Sequence, residues 1–429
     1  MGNAALAPIM NPFSLCQNVP SLDQSEMANQ PMKALSGGSL PTTPTTTTTG
    51  CIPSERTMRS AFPIHRGLPF RSIYRKARRL GKGSYGEVYL AEEVGIKGRL
   101  VAVKDCQVDE AVQSDKATRS YTTEIAALSA LPSHPRIIRV FEVFENEDGL
   151  YHIVMEACWG GELYDHIVHT ARENPTLSRG LPEAEVSSLM RQVLEALAFI
   201  HARHIVHRDV KAENFLFVDK HDKSRLKLCD FGAAVNLRTT VKGLAEGRVG
   251  TLSYAAPEIY LSEGADTRSD MWSAGVVLYV MLCAASPFRQ SGDRSTKVVV
   301  HRVKTGSIIK NRPAWQNLSE AAVDLVRRLL VVEPSRRLTA AEALHHPFVL
   351  ASSPSITPRT LTIAGRHKLD RYLAFPLQRK ELLRAAARLV PESQLGELSR
   401  IFAIADSDHD GRVDLGELNF LVEESASGS

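Results

Sequence analysis

The sequence predicts an α+β protein of more than one domain. At 429 residues the chain exceeds what a single compact core organises. Short β-branched and aromatic runs bounded by glycine turns, Val88-Tyr89-Leu90 and Leu100 to Val103, read as strands. Thr123 to Leu131 instead carries Ile125, Leu128 and Leu131 at helical spacing. Two further apolar helical segments flank an acidic, glycine-centred loop near the carboxyl end.

Taken in order, residues 1 to about 70 are rich in Pro, Ser, Thr and Gly, with Pro41-Thr42-Thr43-Pro44 running into Thr45 to Thr49. Such a segment buries too little apolar surface to offset its ordering entropy, so a disordered tail is expected. Leu80-Gly81-Lys82-Gly83-Ser84-Tyr85-Gly86-Glu87-Val88 follows. Its three glycines lie between strand-like segments, in a hairpin; a dinucleotide fold uses the same spelling between a strand and a helix. Lys104 closes Val101-Ala102-Val103-Lys104 on the next strand and needs a carboxylate to hold it in place. Glu124, opening the amphipathic helix, is preferred for this; Glu110 is the upstream rival. Tyr151 to Cys158 reads as a buried strand leading into a linker, where a methionine such as Met155 is ordinarily core packing. Thr170 to Gly180 reads as a long loop between two helices. Then come His207-Arg208-Asp209 with Asn214 five residues on, Asp230-Phe231-Gly232 and Ala256-Pro257-Glu258.

This ordered set resembles a eukaryotic Ser/Thr protein kinase over residues 71 to 350. The resemblance implies a bilobal protein-kinase fold, a small β-rich N-lobe and a large helical C-lobe, with ATP and Mg²⁺ as cofactors. Leu80, Gly81, Gly83, Gly86 and Val88 would then cover the nucleotide, and Lys104, held by Glu124, would meet its α and β phosphates. Met155, Glu156 and Cys158 would form the hinge that holds adenine, with Met155 as gatekeeper. Asp209 is expected to orient the substrate hydroxyl and accept its proton, and Lys211 to meet the γ-phosphate. Asn214 and Asp230 offer oxygen to Mg²⁺, a hard ion. His207 and Asp270 are expected to be structural, the latter bonding to the catalytic-loop backbone, and Glu258 with Arg337 to form a buried ion pair. Ala212 and Leu252 stand where proline is usual, and neither position carries charge. Glu162 and Glu213 match positions at which basophilic kinases bind an arginine three residues before the acceptor, and paired carboxylates suit a planar guanidinium. Protein substrates with basic residues upstream of Ser or Thr are therefore the expected partners.

Asp406-Ser407-Asp408-His409-Asp410-Gly411-Arg412-Val413-Asp414-Leu415-Gly416-Glu417 matches a Ca²⁺-binding EF-hand loop at each defining position. Asp406, Asp408 and Asp410 supply carboxylates, Arg412 a backbone carbonyl, Asp414 a water-mediated contact and Glu417 a bidentate clamp. Between this loop and the kinase end at Pro347-Phe348, Arg359 to Val390 is basic, with Leu383, Ala386, Ala387 and Val390 at helical spacing. Such a segment serves calmodulin-like lobes or membranes, a solvated linker helix being the alternative. The order of kinase, basic junction (351–390) and EF-hand (391–429) resembles the calcium-dependent protein kinases of plants and protists. That family carries four hands; with one here, a truncated chain, self-association through the hand, or a second hand from another protein are all open.

Composition excludes other classes. A net charge of +4 with no cationic run makes nucleic acid an unexpected partner. Six scattered cysteines without a CxxC pair argue against a disulfide framework or zinc site. No apolar run is long enough to span a bilayer. Met1-Gly2-Asn3 invites N-myristoylation, but Leu6 stands where Ser or Thr is wanted, and membrane contact is expected only with that lipid. The expected compartment is the cytoplasm, with the nucleus as alternative.

Overall fold

The computed structural model describes residues 62–351, apart from 84–85, 97, 108–123, 147–149, 174–179, 241–242, 246–250, 252, 262 and 294. The EF-hand loop, the basic junction and Glu110 lie outside the described residues.

Strand propensity between Ile64 and Glu156 builds one six-stranded sheet. Its members are β1 (Ile64–Arg66), β2 (Tyr74–Gly83), β3 (Gly86–Glu93), β4 (Leu100–Gln107), β5 (Val140–Glu145) and β6 (Leu150–Glu156), in spatial order β1-β5-β6-β4-β3-β2. All neighbours are antiparallel except β1 and β5, which run parallel with His65 opposite Phe144. Alternation puts Val101 and Val103 on one face, where they join Phe70, Tyr74, Ala91, Phe144 and Val154 in a single buried cluster. Residues 124–129 are helical (α1), and Ile125 and Leu128 are buried. Residues 62–70, which the expected tail includes, contain β1 and the buried Phe62 and Phe70. Phe70, only 3% exposed, stacks on Tyr74 and meets Phe144 edge-on. The apolar residues that decide this are too few to show against the polar background of the first sixty.

The remainder is helical: α2 (Leu163–Glu173), α3 (Glu183–His201), α4 (Pro257–Leu261), α5 (Thr267–Cys283), α6 (Thr296–Thr305), α7 (Pro313–Gln316), α8 (Glu320–Leu329), α9 (Ala340–Leu344) and α10 (Pro347–Leu350). α5 is buried from Ser269 to Cys283 and is the axis of this lobe. It starts in a capping box in which Asp266 accepts from the Arg268 and Ser269 amides, and the Ser269 hydroxyl accepts from the Asp266 amide. α2 runs to Glu173, four residues into the segment expected to be loop, because Thr170 to Glu173 continue a helix that buries Leu163, Tyr164 and Ile167. Gly180 then lets the chain touch α5: a Cβ there would meet the Met281 carbonyl oxygen at 1.9 Å.

Two short antiparallel pairs frame the loops between the lobes. β7 (Ile205–Val206) pairs with β10 (Val235–Asn236), and β8 (Phe215–Phe217) with β9 (Leu226–Leu228). The segment from His207 to Asn214 therefore lies beside the one from Cys229 to Ala234. Among the described residues no helix is long and apolar enough to cross a membrane, and Cys106, Cys158, Cys229 and Cys283 form no disulfide.

Candidate active site

β4 carries Lys104 into the space between the lobes. Its Nζ donates to both Glu124 oxygens at 2.8 and 2.9 Å and to Asp230 Oδ1 at 2.8 Å. Burial alone would discharge the amine; the two carboxylates reverse this and hold its pKa above the usual lysine range. The same burial pushes up the Asp230 carboxyl, yet Lys104 keeps it below the ordinary carboxylate range. Asp230 has φ 59°, a left-handed conformation that non-glycine residues rarely adopt. It is followed by Phe231, fully buried and edge-on to the His207 ring at 4.9 Å.

Val88 sits opposite Lys104 in the β3–β4 register. Leu80 and Gly81 are exposed on β2, and Gly83 pairs with Gly86 where the hairpin closes. At Gly86, φ is 155° and a Cβ would lie 1.9 Å from the Asp105 carbonyl oxygen, so a side chain would spread β3 from β4. Met155 pairs with Ala102 across β4, and Cys158 follows the end of β6, half-buried. The Glu156 carboxylate accepts from the Arg139 amide (2.6 Å) and pairs with Lys227 (2.9 Å).

In the loop after β7, Asp270 fixes the backbone by accepting from the His207 amide at 2.8 Å and the Arg208 amide at 2.9 Å, as expected of it. Arg208 takes φ 64°, which turns the chain so that Asp209 faces the cleft. Four donors converge on the Asp209 carboxylate. Oδ1 accepts from the Thr251 amide (2.8 Å) and hydroxyl (2.9 Å), while Oδ2 accepts from Lys211 (2.7 Å) and Asn214 (3.2 Å). The Asn214 amide nitrogen also donates to the Asp209 carbonyl at 2.7 Å. With that nitrogen committed, its oxygen is the atom left for a cation.

A magnesium nucleotide fits these donors. Mg²⁺ takes one or two protein oxygens and completes its shell with phosphates and water. Asp230 and Asn214 are such a pair, and no group of three or more His, Cys, Asp or Glu that could hold a metal occurs among the described residues. Lys104 supplies the cation for phosphate oxygens.

Glu162 and Glu213 are both half-buried. Burial, then repulsion from Asp165 and Glu213, pushes the Glu162 carboxyl up to about 7, against the pull of Lys211. Burial likewise raises Glu213. Further out, Arg337 donates to Glu258 at 2.9 and 3.2 Å, both residues being buried, so the expected pair is formed. Sequence reading gave Thr251 no role, although it holds Asp209 and also accepts from Lys211 at 3.0 Å. The kinase-like run Gly250-Thr251-Leu252-Ser253-Tyr254 is the local pattern that marks it.

The chain matches the protein kinase domain over residues 74–349. Among curated proteins it is 32% identical to calcium-dependent protein kinase 9 of Oryza sativa subsp. japonica, over 85% of this chain and 60% of that protein. It is 32% identical to calcium-dependent protein kinase 8 of Arabidopsis thaliana, over 81% of this chain and 62% of that one. CDPK-related kinase 5 of Arabidopsis thaliana is 34% identical over 83% of this chain and 57% of its own length. The chain thus spans about three-fifths of the length of these relatives. With a match covering well over half of its residues, the chain belongs to the protein kinase family.

Proposed function

We propose that this protein is a catalytically competent, ATP-dependent Ser/Thr protein kinase. The observation that carries the reading is the convergence of Lys104, Glu124 and Asp230 on one side of the cleft, and of Asp209, Lys211 and Asn214 on the other. A scaffold that only senses calcium would be expected to lack at least one of Lys104, Asp209, Asn214 or Asp230. When bound, ATP supplies the phosphoryl group and Mg²⁺ neutralises its charge. The glycine hairpin with Leu80 and Val88 covers the nucleotide, the hinge at Met155, Glu156 and Cys158 holds its base, and Lys104 positions its phosphates. Asp209 orients the Ser or Thr hydroxyl and accepts its proton, while Lys211 offsets charge at the transferring group. Asn214 and Asp230 hold the metal.

Glu162 and Glu213 select an arginine three residues before the acceptor, a reading supported by their half-buried positions and by the Glu213 charge that helps to raise the Glu162 carboxyl. Calcium control through Asp406, Asp408, Asp410, Arg412, Asp414 and Glu417 is supported by the loop spelling and by the names of the relatives. The basic junction restrains the kinase until the loop fills. We place the protein in the cytoplasm, with the nucleus as the alternative, because its six cysteines are scattered without a CxxC pair, as suits a reducing compartment. The test is phosphate transfer to an Arg-rich peptide with Ca²⁺ and with chelator. Calcium-stimulated transfer supports both parts; transfer indifferent to calcium leaves the hand as a docking element; no transfer overturns the enzyme.

A further inference from the structure

We propose that Lys227 is a positioning residue for the nucleotide, tying the strand end that holds the base to the loop that holds the metal. The inference rests on the kinase reading above. Lys227 is central in β9, only 2% exposed, three residues before Asp230. Its Nζ lies 2.9 Å from Glu156 Oε1, at the end of β6. The same oxygen accepts from the Arg139 amide at 2.6 Å, and the Glu156 amide donates back to the Arg139 carbonyl at 3.0 Å.

The segment from Arg136 to Arg139 closes a loop of bonds. The Ile138 amide donates to the Leu228 carbonyl at 2.9 Å, and the Leu228 amide to the Arg136 carbonyl at 2.8 Å, with Ile137 bridged parallel to Leu228. One residue on, the Cys229 amide donates to the Asn214 carbonyl at 2.9 Å. A short, bonded path therefore runs from Glu156 through Lys227 and Leu228 to both candidate metal ligands, Asn214 and Asp230. The two ends of a nucleotide would be held by the two ends of this path.

A buried ion pair is a poor way to gain stability, since apolar side chains of equal volume do as well or better. What it adds is direction: a charged, hydrogen-bonded contact fixes the β6 end against β9, where methionine would allow sliding. Positional error of an ångström at a reacting centre costs up to about a hundredfold in rate. The tie acts on substrate only through Glu156 and the backbone, so peptide binding should not sense it.

The experiment uses the full chain with Lys227→Met and Lys227→Met/Glu156→Gln. The single variant leaves the largely buried Glu156 carboxylate without the Lys227 charge and should melt lower. The double variant removes that charge and should recover the wild-type Tm, yet its KM for ATP should stay about five- to tenfold high with the peptide KM unchanged. Without nucleotide, its Leu228 and Ile138 amides should exchange faster. An ATP KM that returns to the wild-type value in the double variant, at recovered Tm, would show a merely structural pair and overturn the proposal, as would equal rises in the ATP and peptide KM. If the wild type transfers no phosphate, the thermal shift induced by Mg·ATP decides. Its loss in the double variant upholds the tie while the enzyme reading falls, and its persistence overturns the tie as well.

Discussion

Asp209 holds four hydrogen bonds at once, and this saturation fixes the carboxylate plane as a single side-chain rotamer could not. Replacing it with Asn keeps the shape but removes the proton acceptor and turns one end into a donor facing donors. Asp209→Asn should lower kcat by about 10²- to 10⁴-fold while leaving the Mg·ATP thermal shift within about twofold of wild type in implied affinity; near-normal turnover would sink the assignment. Glu162 offers a test of sign. Its carboxyl is pushed up to about 7, so it is largely neutral below that pH and charged above it. Preference for Arg over Ala three residues before the acceptor should rise from about pH 6 to about pH 8 and level off beyond. A pH-independent ratio of the two peptide KM values would count against Glu162, and Glu162→Gln should flatten the curve.

Among elements, the junction of α4, α5 and the turn before α9 depends on one pair. Arg337 is 1% exposed and Glu258 5%, and Ser269 adds a bond to Glu258 at 2.8 Å. Arg337→Ala strands a buried carboxylate, for an expected loss of about 3–5 kcal/mol in urea denaturation; a loss below about 1 kcal/mol would show that water already reaches Glu258. Phe70→Ala should cost about 3–5 kcal/mol for the cavity it leaves beneath the sheet. The two sites contrast in legibility. Arg337 and Glu258 could be read because fixed spelling surrounds each, and Lys104, Asp209 and Asp230 for the same reason. Phe70 could not, because its burial depends on β1 finding β5 some 77 to 79 residues later, as the His65–Glu142 and Arg66–Glu145 bonds record. Contacts of that span leave no local period. The end of α2 lies past the expected boundary for a milder reason: Thr170, Arg172 and Glu173 are polar and continue a helix whose buried residues, Leu163, Tyr164 and Ile167, all precede them.

For the whole molecule, the calcium proposal makes a paired prediction. Ca²⁺ shifts an equilibrium only by binding one state more tightly, so it must bind better when the junction is released. Glu417→Gln removes a clamp oxygen and should blunt calcium activation, whereas a chain ending at Leu350 should be active with or without chelator. Equal activity of the full chain and the shortened one under both conditions would rule the restraint out. One feature of the sheet bears on behaviour at high concentration. Among the described residues the sheet ends on β1, three residues long, and on β2, which carries exposed Arg75 and Arg78. An open strand is a template for stacking against another copy, and short length or like charge blunts it. Because β2 relies on repulsion, and salt shortens the reach of charge to about 3 Å at molar concentration, strong salt should strip that protection and let β2 edges of separate molecules meet.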